Sequence, residues 1–104
     1  MEHNPKVSVI IPVYNSADYL KETLLSVISQ TLRDTEIIVV NDGSTDKSEE
    51  IIESYQKGDS RIKYLFQPNQ GQSIARNVGL DNATGDFVYF MDSDDLLEQD
   101  ALGM

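Results

Sequence analysis

The sequence predicts an α/β fold, a parallel sheet of about four strands in the order 3-2-1-4 with helices on both faces. Three observations lead there. Short apolar, β-branched or aromatic runs alternate with segments whose apolar residues recur at helical spacing. The connections between them are short, which at this spacing means parallel strands joined by crossover helices, right-handed in roughly 98% of cases. Strand runs one, two and four each end in a polar loop. In a doubly wound sheet whose order reverses near strand one, those three exits flank one crevice, the place where such sheets bind ligands.

The first run is Val7-Ser8-Val9-Ile10-Ile11, closed by Pro12 where a ladder donor is not needed. Tyr14-Asn15-Ser16 forms the next loop, with Ser16 as an N-cap. Leu20, Leu24, Val27 and Ile28 then make one core-facing helical stripe, ending near residues 30–32. Glu36-Ile37-Ile38-Val39-Val40 is strand two, followed by Asn41-Asp42-Gly43-Ser44-Thr45-Asp46. Asp-Gly supplies a turn there, and Ser44 or Thr45 is expected to cap a second helix. That helix runs to about Tyr55 with Ile51, Ile52 and Tyr55 buried, and Lys57-Gly58-Asp59 stops it.

Residues 61–67 read as a third, more exposed strand in which Ile62, Tyr64 and Phe66 alternate with their neighbours. Pro68-Asn69-Gln70-Gly71 is a loop, and residues 72–82 form helix three with Ile74, Ala75 and Val78 inward. Gly79 is expected to cost that helix ~1 kcal/mol relative to Ala. Residues 83–86 turn into strand four, Phe87-Val88-Tyr89-Phe90, apolar throughout as strands buried on both faces are. From Leu96 another helix is expected to begin, and the chain stops within it, as a piece of a longer protein would.

The 104 residues suffice for one domain. Such a chain buries something over ~60% of its unfolded surface, a small core. Eighteen acids against eight Lys and Arg give a net charge of -10, which argues against a nucleic-acid groove but not against a single nucleotide bound with a metal. The absence of cysteine removes disulfides, thiolate catalysis and Cys-based zinc sites, and fits a cytoplasmic chain. Residues 1–6 lack the apolar stretch of a signal peptide. The longest apolar run is far below the ~20 residues of a membrane span. His3, in that polar tail, is expected to face solvent.

The chemistry-bearing stretch follows strand four: Asp92-Ser93-Asp94-Asp95. Acids gathered at a strand exit repel one another and call for a cation or a hydrogen-bonding ligand. A hard divalent ion, Mg²⁺ or Mn²⁺, held by carboxylate oxygens together with a phosphate, is the simplest solution. The competing reading is a solvated cap for the helix expected from Leu96. Asp42, at the exit of strand two, could accept from a base N–H or a ribose hydroxyl, or could simply form the Asp-Gly turn. Arg76 could pair with a diphosphate or with the acids after strand four, or make an ordinary surface ion pair. A calcium loop over residues 42–53 is rejected, because Lys47 stands where its glycine is required. No Ser-His-Asp set and no glycine-rich phosphate loop is present.

Four pieces in order resemble the family 2 glycosyltransferases, inverting enzymes of Rossmann-like GT-A fold. They are residues 9–15, residues 39–46, Gly71 through Ala75-Arg76-Asn77 and Gly79, and Asp92-Ser93-Asp94-Asp95, which is similar to the family's D-x-D element. The resemblance covers nearly the whole chain and implies the donor-binding half of such an enzyme. It implies a nucleotide-diphosphate sugar, UDP-linked by default, with Mn²⁺ or Mg²⁺. Carried onto this chain, Pro12, Tyr14 and Asn15 line the nucleotide pocket, with Tyr14 against the base. Asp42 holds the base, Arg76 lies near the diphosphate, Asp92 meets the ribose or sugar, and Asp94 ligates the metal with Asp92.

Gln99 stands where the family often has Pro. The family's general base, acceptor pocket and lid lie past the D-x-D element, so no catalytic residue is assigned within these residues. The base is expected beyond residue 104, and the chain alone is expected not to turn over. The implied acceptor is a sugar, lipid carrier or polysaccharide, and the implied setting is the cytoplasm or its membrane face. An apolar strand four left at the sheet edge would invite a homodimer. The rival reading is a Mg²⁺-binding phospho-acceptor or nucleotide-sensing module on a flavodoxin-like sheet. It wants a late Lys near the acids, and no Lys follows Lys63. A third reading is a binding domain that keeps the fold without catalysis.

Overall fold

The computed structural model describes residues 5–98 and 101–102. Seven elements follow in strict alternation: β1 (Val7–Val13), α1 (Ala17–Ile28), β2 (Thr35–Asp42), α2 (Ser48–Gly58), β3 (Ile62–Gln67), α3 (Gln72–Asp81) and β4 (Phe87–Phe90). The strands form one sheet in the order β3-β2-β1-β4, all pairs parallel. The order and the helix placement are those the alternation predicts.

Every residue of β1 and β2 is buried, because these two central strands are covered on both faces. Val9, Ile11, Val13, Ile37 and Val39 point to the face covered by α1 and α2, where Leu20, Leu24, Val27 and Ile52 meet them. Ile10, Ile38 and Val40 point to the other face, under Ala75 of α3. Each fully buried aliphatic side chain contributes roughly 1.5–3 kcal/mol, so the two central strands carry most of the core.

Pro12 lies inside β1 rather than closing it. Ile10 O accepts from Met91 N, so Ile10 faces β4, and strand alternation turns Pro12 the same way. Pairing with β4 ends at Ile10–Phe90, so the missing N–H of Pro12 falls past the end of the neighbouring strand.

Gly79 is required rather than merely tolerated. A Cβ there would sit 2.5 Å from Ile10 Cγ2, so the absent side chain is what lets α3 lie close on β1. Ile74 was expected inward but is 42% exposed, since Ala75 and Gly79 define the buried edge of the helix. The predicted caps also move. Ser16 is the residue before α1, yet its side chain makes no cap bond, and neither Ser44 nor Thr45 caps α2. Asp46 serves both helices.

β4 departs most from expectation. It is exposed along its whole length, because it is an edge strand with neither face fully covered. The helix expected from Leu96 is not present among the described residues 96–98 and 101–102. His3 and Gln99 lie outside the described residues.

Candidate functional site

The exits of β1, β2 and β4 meet at one edge of the sheet, beside the loop that leads into α3. They enclose a cleft of about 330 Å³ lined by Pro12, Val13, Tyr14, Asp42, Asn69, Gly71, Gln72 and Ser93. A cleft of that size is at the lower end of small-molecule sites.

Beside the cleft, the loops after β1 and β2 bond to each other. Asn15, at φ 47°, donates its N–H to Ser44 Oγ at 3.0 Å, and its Oδ1 accepts from Thr45 N at 2.7 Å. Asp46 Oδ2 accepts the Ala17 N–H at 3.1 Å and Oδ1 accepts that of Ser48 at 2.9 Å. One carboxylate thus satisfies the first turns of α1 and α2, where negative charge also suits both helix dipoles. Burial pushes the Asp46 carboxyl up, but the bonds from Ser48 and Ala17 outweigh it and hold it below the ordinary aspartate value. The Asp two positions before Ser48 was a readable cap signal, and sequence reasoning passed over it.

Asp42 ends β2, 3% exposed, and both of its oxygens are occupied. Oδ1 accepts from Gln67 Nε2 and Gln70 N, each at 2.8 Å. Oδ2 accepts from Gly71 N at 3.0 Å and Asn69 Nδ2 at 3.2 Å. Burial pushes this carboxyl up too, and its hydrogen bonds bring it below the ordinary value. Asp42 therefore shapes the loop that lines the cleft as well as lining it. A ligand N–H would reach it by displacing the longest partner, the Asn69 amide. Gly43, at φ 69°, lets the loop at Asn69 pack against the β2 exit, since a Cβ there would fall 2.6 Å from Asn69 N. The same pairing leaves Gln67 Oε1 buried without a partner, so the contact with Asp42 sets the orientation of that amide.

Across the cleft, α3 reaches the acidic element. Gln72 Nε2 donates to Asp92 Oδ1 at 2.9 Å and Arg76 pairs with the same oxygen at 3.3 Å. Asp92, Asp94 and Asp95 are exposed, with one carboxylate oxygen from each within 4.8 Å of the others. Oxygens on one octahedral ion lie roughly 3–4 Å apart, so this all-oxygen set fits a hard divalent cation after small side-chain adjustments.

Of the sequence-predicted residues, Pro12, Tyr14 and Asp42 line the cleft, and Asp92 and Asp94 stand together at its rim with Arg76. Asn15 is not brought to the cleft; its side chain is committed to Thr45. Val13, Gly71, Gln72 and Ser93, which also line it, fall within the four family-like pieces without a role of their own there, and Asn69 lies outside them. The turn into α3 at the ligand-binding edge was the signal for Gly71 and Gln72.

Residues 8–104 match the sequence profile of glycosyl transferase family 2. The chain belongs to that family. Glycosyltransferase GlyA of Streptococcus pneumoniae is 54% identical over 95 residues, which make up 91% of this chain and 14% of GlyA. S. aureus TarS 1–349, solved in complex with UDP-GlcNAc, superposes with a TM-score of 0.88 at 40% identity over 93% of this chain and 29% of that one. The mannosyltransferase PcManGT from Pyrobaculum calidifontis, in complex with GDP-Man and Mn²⁺, superposes with a TM-score of 0.82 at 28% identity over 90% of this chain and 29% of that one. The family 2 chain described here therefore spans less than a third of each of these proteins. Its sheet is of the GT-A type, and every residue lining the cleft lies within the family match.

Proposed function

We propose that this chain is the donor-binding part of a family 2 glycosyltransferase and that its cleft holds a nucleoside-diphosphate sugar. The observation that carries this reading is a juxtaposition. A cleft walled by Pro12, Tyr14 and Asp42 opens beside three carboxylates gathered within 4.8 Å. Tyr14, 52% exposed, offers its ring to the base. Asp42 takes a base N–H in exchange for Asn69. Asp92 meets the ribose or sugar, Arg76 lies near the diphosphate, and Asp94 with Asp92 holds Mn²⁺ or Mg²⁺. UDP is the preferred nucleotide, since the TarS structure at 40% identity carries UDP-GlcNAc, whereas the GDP-Man complex is of a protein at 28%.

The reaction of the longer enzyme is displacement at the anomeric carbon by an acceptor hydroxyl of a sugar, lipid carrier or polysaccharide. A bound divalent ion would offset charge on the departing diphosphate. The general base lies beyond residue 104, so the 104-residue chain binds donor without transferring sugar. The proposed place of action is the cytoplasm or its membrane face; no helix among the described residues is long and apolar enough to cross a membrane. The exposed edge of β4 is the surface on which a second copy would pair. The rival flavodoxin-like reading needs β1 between β2 and β3. Here β1 is flanked by β2 and β4, and the rival loses its support.

Calorimetric titration of UDP with and without Mn²⁺, on this chain and on Asp94→Ala, tests the reading. Metal-dependent binding that the substitution abolishes is expected. A chain folded by circular dichroism that binds no nucleoside diphosphate under either condition would overturn it.

A further inference from the structure

The acidic element has no ladder to hold it. β4 ends at Phe90, and after Met91 N bonds Ile10 O the chain runs on without strand or helix through the described residues. A turn bond from Asp95 N to Asp92 O at 3.1 Å closes it on itself, Gln72 and Arg76 hold Asp92 from α3, and a polar stripe on α1 and its cap ties its backbone down. Ser16, Thr23, Ser26 and Gln30 follow one another at spacings of 7, 3 and 4 residues, one face of the helix. Ser16 Oγ bonds Ser93 Oγ. Ser26 Oγ accepts the Leu97 N–H at 3.2 Å. Gln30 Nε2 donates to Glu98 O at 2.6 Å, and its Oε1 accepts from Leu102 N at 3.0 Å.

Thr23 is the member under the acids. It is fully buried between the apolar residues Leu20, Leu24 and Val27 of the same helix. Its hydroxyl lies 2.9 Å from Ser93 O and 2.8 Å from Asp95 O, one proton shared between two carbonyls. Those carbonyls bracket Asp94. With both turned in to α1, the carboxylates of Asp92, Asp94 and Asp95 are left on the exposed side.

We propose that Thr23 is a positioning residue of the donor site: it touches no ligand, and through the backbone of Ser93 and Asp95 it sets the spacing of the three carboxylates. The inference rests on the donor-site reading above. Valine matches threonine in shape but lacks the hydroxyl, whereas serine keeps it.

The test is the Mn²⁺ affinity of this chain, by electron paramagnetic resonance, and its UDP affinity with Mn²⁺, by calorimetry, for wild type, Thr23→Val and Thr23→Ser. Amide exchange at residues 93–95 is read in parallel without ligand. Removing such an outer partner typically costs ~10–100-fold in metal affinity, so Thr23→Val should weaken Mn²⁺ by at least about tenfold and speed exchange at 93–95. Thr23→Ser should restore most of both. The proposal is overturned if Thr23→Val binds like wild type, or if Thr23→Ser is as weak as Thr23→Val. It also falls if a core variant of matched stability, Val27→Ala, loses as much. If wild type itself binds neither Mn²⁺ nor UDP, the donor-site reading falls and takes this one with it. Loss confined to the valine variant identifies Thr23 alone.

Discussion

Asp46, in the loop after β2, accepts the first backbone N–H of α1, that of Ala17, at 3.1 Å. Its other oxygen takes the Ser48 N–H of α2. Two helices therefore depend on one exposed side chain. Removing a cap costs typically ~1 kcal/mol, so Asp46→Ala should lose about 2 kcal/mol in urea unfolding. Asp46→Asn should recover only part of it, because its single amide oxygen can accept from one of the two N–H groups and it brings no charge to the dipoles.

Gly79→Ala would improve an ordinary helix by close to 1 kcal/mol. Here the added methyl meets Ile10 Cγ2, and overpacking of this kind costs roughly 1–3 kcal/mol. The expected sign is destabilising, measured as a lower denaturation midpoint. A more stable variant would mean that α3 shifts freely on the sheet.

Acid should unfold the chain through specific carboxylates. Burial raises the carboxyls of Asp42 and Glu36. Hydrogen bonds from Gln67, Gln70 and Gly71 to the first, and from Thr84 and Lys63 to the second, bring both below the ordinary values of 3.8 and 4.5. A folded-state pKa below the unfolded one means that the unfolded chain binds more protons in the window between them. The stabilisation is then complete above the unfolded values and is lost as pH falls through the folded ones. Urea midpoints followed downward from neutral pH should fall below about pH 4. Asp42→Asn, with no proton to take up, should show a flatter decline; parallel curves would remove Asp42 as a source.

Tyr14 and Arg76 should separate base from phosphate. Stacking of a base on an aromatic ring is worth ~1–3 kcal/mol, so Tyr14→Ala should weaken uridine and UDP alike. Arg76→Ala should weaken UDP and leave uridine unchanged, by ~1 kcal/mol given that the side chain is 40% exposed. Equal losses on uridine for both variants would contradict the assignment.

Phe87, Val88, Tyr89 and Phe90 are each 38–54% exposed on a strand paired with β1 along one edge and with no neighbouring strand on the other among the described residues. Light scattering should find a dimer or larger species, and Tyr89→Lys should shift it toward monomer, because charge on an edge strand opposes pairing. A monomer at all concentrations would count against the second-copy surface.

Periodicity determined the alternation of strands and helices, their parallel sense and the order 3-2-1-4, because apolar spacing is a local property and crossover handedness leaves few arrangements. It also determined which strand exits face one crevice, and hence that Asp42 and the acids from Asp92 onward belong to one edge. The tertiary structure alone decided what those residues touch. The saturation of Asp42 joins residues 25 to 29 positions apart, and the anchoring of the acidic element by Thr23 joins residues 70 and 72 positions apart. No local pattern announces such pairs: a buried polar group takes whichever donor or acceptor the fold sets beside it. The same reason holds at Gly79, where the sequence predicts a weak helical residue and only the approach of Ile10 shows that nothing larger fits.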